Sequence, residues 1–271
     1  MIFVRDKGRM CNNILQYGHV YAWGREHGRN TMSMRFAYKY QYFHICNTPY
    51  HNFITYLFAK YAAKWRLIPT VGFHDIYPDT KDLEATMLNS RLVLVEGWWV
   101  PWHDLFLKYK QEIIALFSFH DSLKEGVDKY MQQLPAGDLR LGIHIRRGDY
   151  RTWHDGKYYF TDEQYLSYIQ QFLAMHPDKN TCIFICGNDP ELDKGFFQKA
   201  LGNATVVFPD GNPGEDLYLL SCCDYMIGAP STFTLIASMY HDTPLYWITD
   251  AYKPMEEKDW GHFDELFQHT L

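Results

Sequence analysis

The stretch Leu139-Arg140-Leu141-Gly142-Ile143-His144-Ile145-Arg146-Arg147-Gly148-Asp149-Tyr150 starts as an apolar strand and ends as a charged turn. Side chains alternate along a strand, so His144 and Arg146 point to one side, and Arg147 points to the other or turns into the loop. Downstream of Tyr150 the chain keeps a regular rhythm. Thr161-Asp162-Glu163-Gln164 is a capping-box signature that opens a helix stopping before Pro177. Residues 181–186 read as a strand, Asp189-Pro190-Glu191 as the opening of a short helix ending near Gly202, 204–208 as a strand and 215–222 as a helix. Strand, helix and strand then occupy 225–228, 231–240 and 244–249. Strands alternating with helices of roughly ten residues imply right-handed crossovers and a parallel, doubly wound, Rossmann-like α/β sheet.

Upstream, residues 2–4 read as a strand, followed by a Gly-containing loop and a helix over 13–27 closed by Gly28. Residues 35–82, rich in Tyr, Phe, His and Asn, read as mixed helix and loop, 92–96 as a strand and 105–117 as a helix. Pro135-Ala136-Gly137 is a breaker between a helical stretch and the next strand, which divides the chain into domains 1–135 and 136–271.

Composition narrows the function. Apolar residues make up 47% and charged residues 21% of the 271, an ordinary globular balance. A formal charge of −6 argues against a nucleic-acid partner, which would demand net basic character or a dense Lys/Arg stripe, so an anion must be met locally. No window holds ~18 consecutive apolar residues, and the start Met1-Ile2-Phe3-Val4-Arg5-Asp6-Lys7 lacks the features of a signal peptide. The expectation is a cytoplasmic protein. Cys11, Cys46, Cys182, Cys186, Cys222 and Cys223 contain no C-x-x-C pair and read as reduced, buried thiols.

Three features carry chemistry. Arg146 and Arg147 sit at a strand end, where doubly wound sheets bind ligands, and a guanidinium fork that cannot lose its proton suits a pyrophosphate. The alternative is a strand edge with surface ion pairs. In Asp224-Tyr225-Met226-Ile227-Gly228-Ala229-Pro230-Ser231-Thr232-Phe233 a strand runs straight into a helix start, where hydroxyls, amides and the helix dipole converge into an anion site. Ser231 could equally serve only as an N-cap. Gly8-Arg9-Met10-Cys11-Asn12-Asn13, between the first strand and helix, could approach a nucleotide-sugar through its backbone or be a plain tight turn. No D-x-D, H-E-x-x-H or paired Cys spacing occurs, so no metal ligand set is expected. A departing diphosphate would then be neutralised by Arg and helix amides.

Together these segments resemble the α-1,2-fucosyltransferase family, and more distantly the α-1,6- and protein O-fucosyltransferases that share H-x-R-R. The resemblance covers almost the whole chain in order. It runs from Gly8 to Tyr17 (family G-x-x-G-N-Q-x-x-Q-Y) through Gly97-Trp98-Trp99 and the full His144 to Tyr150 motif. Cys186-Gly187-Asn188-Asp189 and the Asp224 to Phe233 segment complete it. Departures fall at Cys11, Asn13, Val100, Asn188 and Thr234-Leu235-Ile236.

The resemblance implies a GT-B-like fold, two Rossmann-like domains facing across a cleft. The first would take the acceptor, a galactose-containing glycan, and the second GDP-fucose, with no cofactor or metal. By the same resemblance Arg146 contacts the β-phosphate and His144 lies near the nucleotide. Asp216 accepts from guanine, and Ser231 and Thr232 hold phosphate oxygens. Arg147, Phe233, Gly8 and Asn12 join them as substrate-binding candidates, and Asp149 joins Arg146 as a catalytic candidate. The implied reaction inverts β-linked fucose of the donor into an α-fucoside. Asp149, His154, Asp155 and Asp6 are candidates for the general base. Trp98, Trp99 and Trp102 would line an acceptor cleft or simply pack the domain. A lipid-linked acceptor would draw the protein to the inner membrane face.

Overall fold

The computed structural model describes residues 1–75, 79–135, 137–187 and 189–268. Ala136 of the expected boundary and Asn188 lie outside the described residues. The chain forms two compact units that divide between His120 and Asp121.

The first unit runs β1 (Ile2–Arg5), α1 (Met10–Glu26), β2 (Thr31–Ser33), α2 (Phe53–Lys64), β3 (Thr70–Phe73), α3 (Thr80–Asn89), β4 (Val93–Gly97), α4 (His103–Lys108) and α5 (Lys110–Leu116). Its sheet has the order β2-β1-β4-β3 with every pair parallel. Phe3, Met32 and Leu94 supply its core on one face, closed by Ala59 and Ala62 of α2. Gly97 ends β4 at φ +118, and a Cβ there would stand 2.2 Å from the Phe73 carbonyl oxygen, so only glycine fits. Two strands escaped the sequence reading: β2, and β3 within the segment read as helix and loop. The expected helix over 105–117 is instead two, broken at Tyr109. Trp102 packs in this unit, edge-on to Phe73 and beside Trp23, with its indole N–H donated to Glu84.

The second unit runs α6 (Asp121–Gln132), β5 (Leu139–Ile145), α7 (Asp162–Met175), β6 (Thr181–Gly187), α8 (Lys194–Ala200), β7 (Thr205–Val207), α9 (Pro213–Ser221), β8 (Tyr225–Gly228), α10 (Thr232–His241), β9 (Leu245–Trp247) and α11 (Phe263–Phe267). The parallel order β7-β6-β5-β8-β9 places the first strand at the centre, as in a Rossmann half. Leu141, Ile143 and Ile145 of β5 are fully buried against Tyr165, Ile169 and Phe172 of α7. The capping box at Thr161 and Gln164 is present as read.

Two expectations are corrected here. Helix α6 belongs to the second unit, packed on α9 with Tyr218 donating to Asp128 at 3.1 Å, so the division precedes the one placed at 135/136. Asp189 does not open a helix; α8 starts later, capped by Asp193. Among the described residues no helix is long and apolar enough to cross a membrane. Among the described residues the six cysteines form no disulfide, four of them buried and two half-buried.

Candidate functional site

In the second unit the chain leaves the central strand β5 first to β6 and β7 and later to β8 and β9. The point where the order reverses, between the carboxyl ends of β5 and β8, is where such sheets leave a crevice for ligands. His144 and Gly228 are register partners at that edge. Beyond them the chain enters the Arg146 turn on one side and the start of α10 on the other.

Arg146 leaves the strand with its side chain 14% exposed, and its Nη2 is gripped by both carboxylate oxygens of Asp149, at 2.7 and 2.8 Å. Its guanidinium carbon lies 5.2 Å from the centre of the Tyr150 ring. Tyr150 in turn donates its hydroxyl to the Pro230 carbonyl at 2.6 Å, tying the arginine turn to the loop that precedes α10. This tie was not foreseen, although Tyr150 closes the quoted motif. Below the turn the buried Tyr165 hydroxyl accepts the Arg146 amide at 3.4 Å.

At α10, Ser231 is an N-cap, its Oγ accepting the Thr234 amide at 3.2 Å. No acidic residue lies in the first turn. The positive end of the dipole is therefore uncompensated from within the helix. Phe233 stacks on His144 with ring centres 4.6 Å apart and planes 16° from parallel. Burial, then the Arg146 charge, hold the His144 pKa down at about 3, so the ring is neutral. Its Nδ1 is buried and finds no hydrogen-bond partner among the described residues.

Arg147 points away from this crevice. Its guanidinium donates to Asp162, to Asp189 at 3.1 Å and to the Phe160 carbonyl at 3.1 Å, and the side chain is only 7% exposed. Its assignment as a substrate ligand is corrected: it braces the turn from inside. Burial opposes its charge, but the two carboxylates more than offset that and raise its pKa. Asp149 likewise acts on Arg146 directly, as a positioning partner. His154 and Asp155 lie in an exposed turn at φ 47 and 54, within a 3-10 segment just after the motif.

Asp216 sits in the first turn of α9, whose cap is already complete: Asn212 accepts the Gly214 and Glu215 amides and Glu215 returns to the Asn212 amide. The Asp216 carboxylate takes no part in that cap. Its Oδ1 is buried without a partner among the described residues, and burial, then Glu215 and Asp210, push its pKa up to about 7.

In the first unit the corresponding strand end carries Asp6, buried and accepting from Ser33 Oγ and, at 3.2 Å, from the Arg35 amide. Burial, only partly offset by these bonds, raises its pKa to about 7. Gly8 takes φ +86, and a Cβ there would meet the Asn12 side chain at 2.6 Å. Gln16 clamps this loop, accepting the Lys7 amide and donating to the Lys7 and Asn12 carbonyls. Gly8 and Asn12 therefore form one ordered turn. Among the described residues no group of three or more His, Cys, Asp or Glu could hold a metal ion.

Residues 85–243, more than half of the chain, match the model of the family described as Glycosyl transferase family 11. The chain belongs to glycosyl transferase family 11. The family 11 match takes in the arginine turn, Asp216 and the start of α10, and leaves the Gly8 loop outside. Galactoside alpha-(1,2)-fucosyltransferase 2 of Gorilla gorilla gorilla is 25% identical over 248 residues, 85% of this chain and 66% of the relative. Galactoside 2-alpha-L-fucosyltransferase SEC1 of Bos taurus is 24% identical over 254 residues, covering 87% and 63%. The family 11 chain thus spans just under two thirds of the length of these relatives. Among solved structures, a mutant of Arabidopsis thaliana FUT1 in complex with GDP is similar at a TM-score of 0.62 and 12% identity, over 96% of this chain and 73% of that one. That likeness, with the two parallel sheets, makes the fold GT-B-like.

Proposed function

We propose that this family 11 protein transfers L-fucose from GDP-fucose to the 2-hydroxyl of a galactose-containing glycan, with inversion and without a metal. The observation that carries the reading is the convergence of Arg146 and the Ser231-capped start of α10 at the β5/β8 switch point. A diphosphate leaving group gathers negative charge as the glycosidic bond stretches. Fixed donors placed where that charge develops lower the barrier. Arg146 takes the β-phosphate and the first-turn amides of α10, with Ser231 and Thr232, take the remaining phosphate oxygens. Asp149 and Tyr150 hold the guanidinium in place before substrate arrives.

Asp216 suits a guanine ring, whose ring and exocyclic N–H groups would satisfy its unpartnered Oδ1. The neutral His144 and Phe233 stack forms a flat apolar support beside the phosphates. The first unit takes the acceptor side, with Gly8 and Asn12 as backbone and side-chain contacts to substrate. The protein is placed in the cytoplasm, with peripheral contact at the inner membrane face when the acceptor is lipid-linked.

GDP release tests the reading. GDP-fucose, GDP-mannose and UDP-galactose are offered with galactosyl acceptors in the presence of EDTA. EDTA-resistant turnover of GDP-fucose alone is expected. Turnover of a different donor would discard the fucosyl assignment, and GDP binding without turnover of any donor would point to either a different acceptor or a binding protein.

A further inference from the structure

Helix α2 is turned inside out with respect to size. The residues it buries on the sheet are small, Ala59 and Ala62, with Ala63 and Tyr56 beside them, while Ile54, Phe58, Tyr61 and Trp65 lie on the outer side, Phe58 with its ring edge-on to Phe3. Their spacing of four, three and four places them on one stripe of the helix. Ile54 is 80%, Phe58 53%, Trp65 64% and the following Leu67 70% exposed. Of the eleven exposed large hydrophobic side chains among the described residues, eight lie between Tyr38 and Leu67. Such a concentration is a contact surface rather than scattered exposure.

Charge says what it contacts. Residues 27–74 contain no Asp or Glu and six Lys or Arg, so this stretch is basic in a chain of formal charge −6. Lys60, Lys64 and Arg66 are exposed along the border of the stripe, and Lys60 Nζ lies 5.7 and 5.9 Å from the Tyr56 and Tyr61 ring centres. The helix ends in a Schellman turn, with Leu67 N–H bonded to the Ala62 carbonyl and Arg66 N–H to the Ala63 carbonyl. Its left-handed position, φ 56, is held by Arg66, where glycine would be less strained. An apolar aromatic stripe bordered by cations is the composition of a helix lying in a lipid headgroup layer. A second copy of the chain fits poorly, because a two-fold contact through this patch would set like charges against each other.

We propose that the outer face of α2, with Trp65 and Leu67, docks on a bilayer containing anionic phospholipid. The proposal does not rest on the transferase reading. Its test uses bare vesicles with no glycan, so either reading can fail without the other.

Flotation with phosphatidylcholine vesicles, with and without phosphatidylglycerol, is the measurement. Wild type should bind the anionic vesicles, bind neutral ones far more weakly, and release in high salt. Lys60→Glu with Lys64→Glu and Arg66→Glu should lower the partition on the order of a hundredfold, about fivefold for each basic residue lost. Phe58→Ser with Trp65→Ser should lower it by at least about tenfold. All five positions are exposed, and an unchanged melting temperature verifies the fold. No binding to either vesicle, or equal binding to both, overturns the proposal. So does a doubled mass in light scattering that Phe58→Ser with Trp65→Ser halves, which would make the patch a subunit interface.

Discussion

In each parallel sheet the unit's first strand lies inside, β1 between β2 and β4 and β5 between β6 and β8. The chain leaves that strand to one side and later pairs on its other side, so the backbone offers a strand-end crevice beside the first strand of each unit. The side chains differ. At the first, Arg5 is paired with Glu96 at 2.7 Å and Asp6 is buried in hydrogen bonds, while α1 begins without a side-chain cap. At the second, Arg146 is held at the rim by a carboxylate over half exposed, a capped helix without early acids begins, and the half-buried Asp216 has one oxygen unpartnered among the described residues. Topology places the crevice, and local charge decides whether it favours an anion.

The sharpest way to break this contrast is within the arginine pair. Arg147→Ala would remove a buried guanidinium and leave the half-buried Asp162 and Asp189 without their cation, and should cost about 3–5 kcal/mol of stability, read by chemical unfolding. Arg146→Ala should leave the melting temperature nearly unchanged and lower kcat/KM for GDP-fucose by about 10²–10³. Arg146→Lys, which keeps charge but loses the planar fork, should recover part of it. If Arg146→Ala keeps full activity, the second crevice is not the donor site.

Asp216 sharpens the comparison through pH. Its folded pKa is raised to about 7, so the folded state holds a proton that the unfolded chain releases above about 4. Its contribution to stability is favourable below that range, falls as pH rises from 4 to 7, and is then constant. A guanine that donates to the ionised form reverses the sense for binding. GDP affinity should rise with pH by up to about tenfold per unit below 7 and flatten above it. Asp216→Asn should remove the slope in calorimetric titrations, and a slope that survives would assign the proton elsewhere. The smallest effect belongs to the first unit. Arg5→Ala, breaking an ion pair whose arginine is 42% exposed, should cost less than about 1 kcal/mol, and a larger loss would give that strand end a role beyond packing.

The second sheet was legible because its central strands are unbroken apolar runs and its helices carry caps, as at Thr161 and Ser231. β2 and β3 were not, because Thr31–Ser33 and Thr70–Phe73 are short edge strands whose pairing partners lie far along the chain. The arginine turn was visible as a motif, and alternation separated Arg147 from Arg146 while leaving open whether it crossed to the other face or turned into the loop. What alternation could not supply were its partners, 15 and 42 residues away. Pro135 looked like a boundary by composition, whereas the contacts of α6 with α9 decide where the unit begins. Asp216 came from resemblance, and the structure adds that the α9 cap is made by Asn212 and Glu215 without it.

β5 is bonded to β6 along all seven of its residues and to β8 over Leu141 to His144. Exchange of its amide protons with solvent water requires opening a ladder on both sides, whereas β7 and β9 can fray from the edges alone. Arg146 comes directly after the segment that opens last. In deuterated buffer the amides of Ile143 and His144 should be among the slowest to disappear, so the anchor of the arginine turn would outlast the margins of its own sheet.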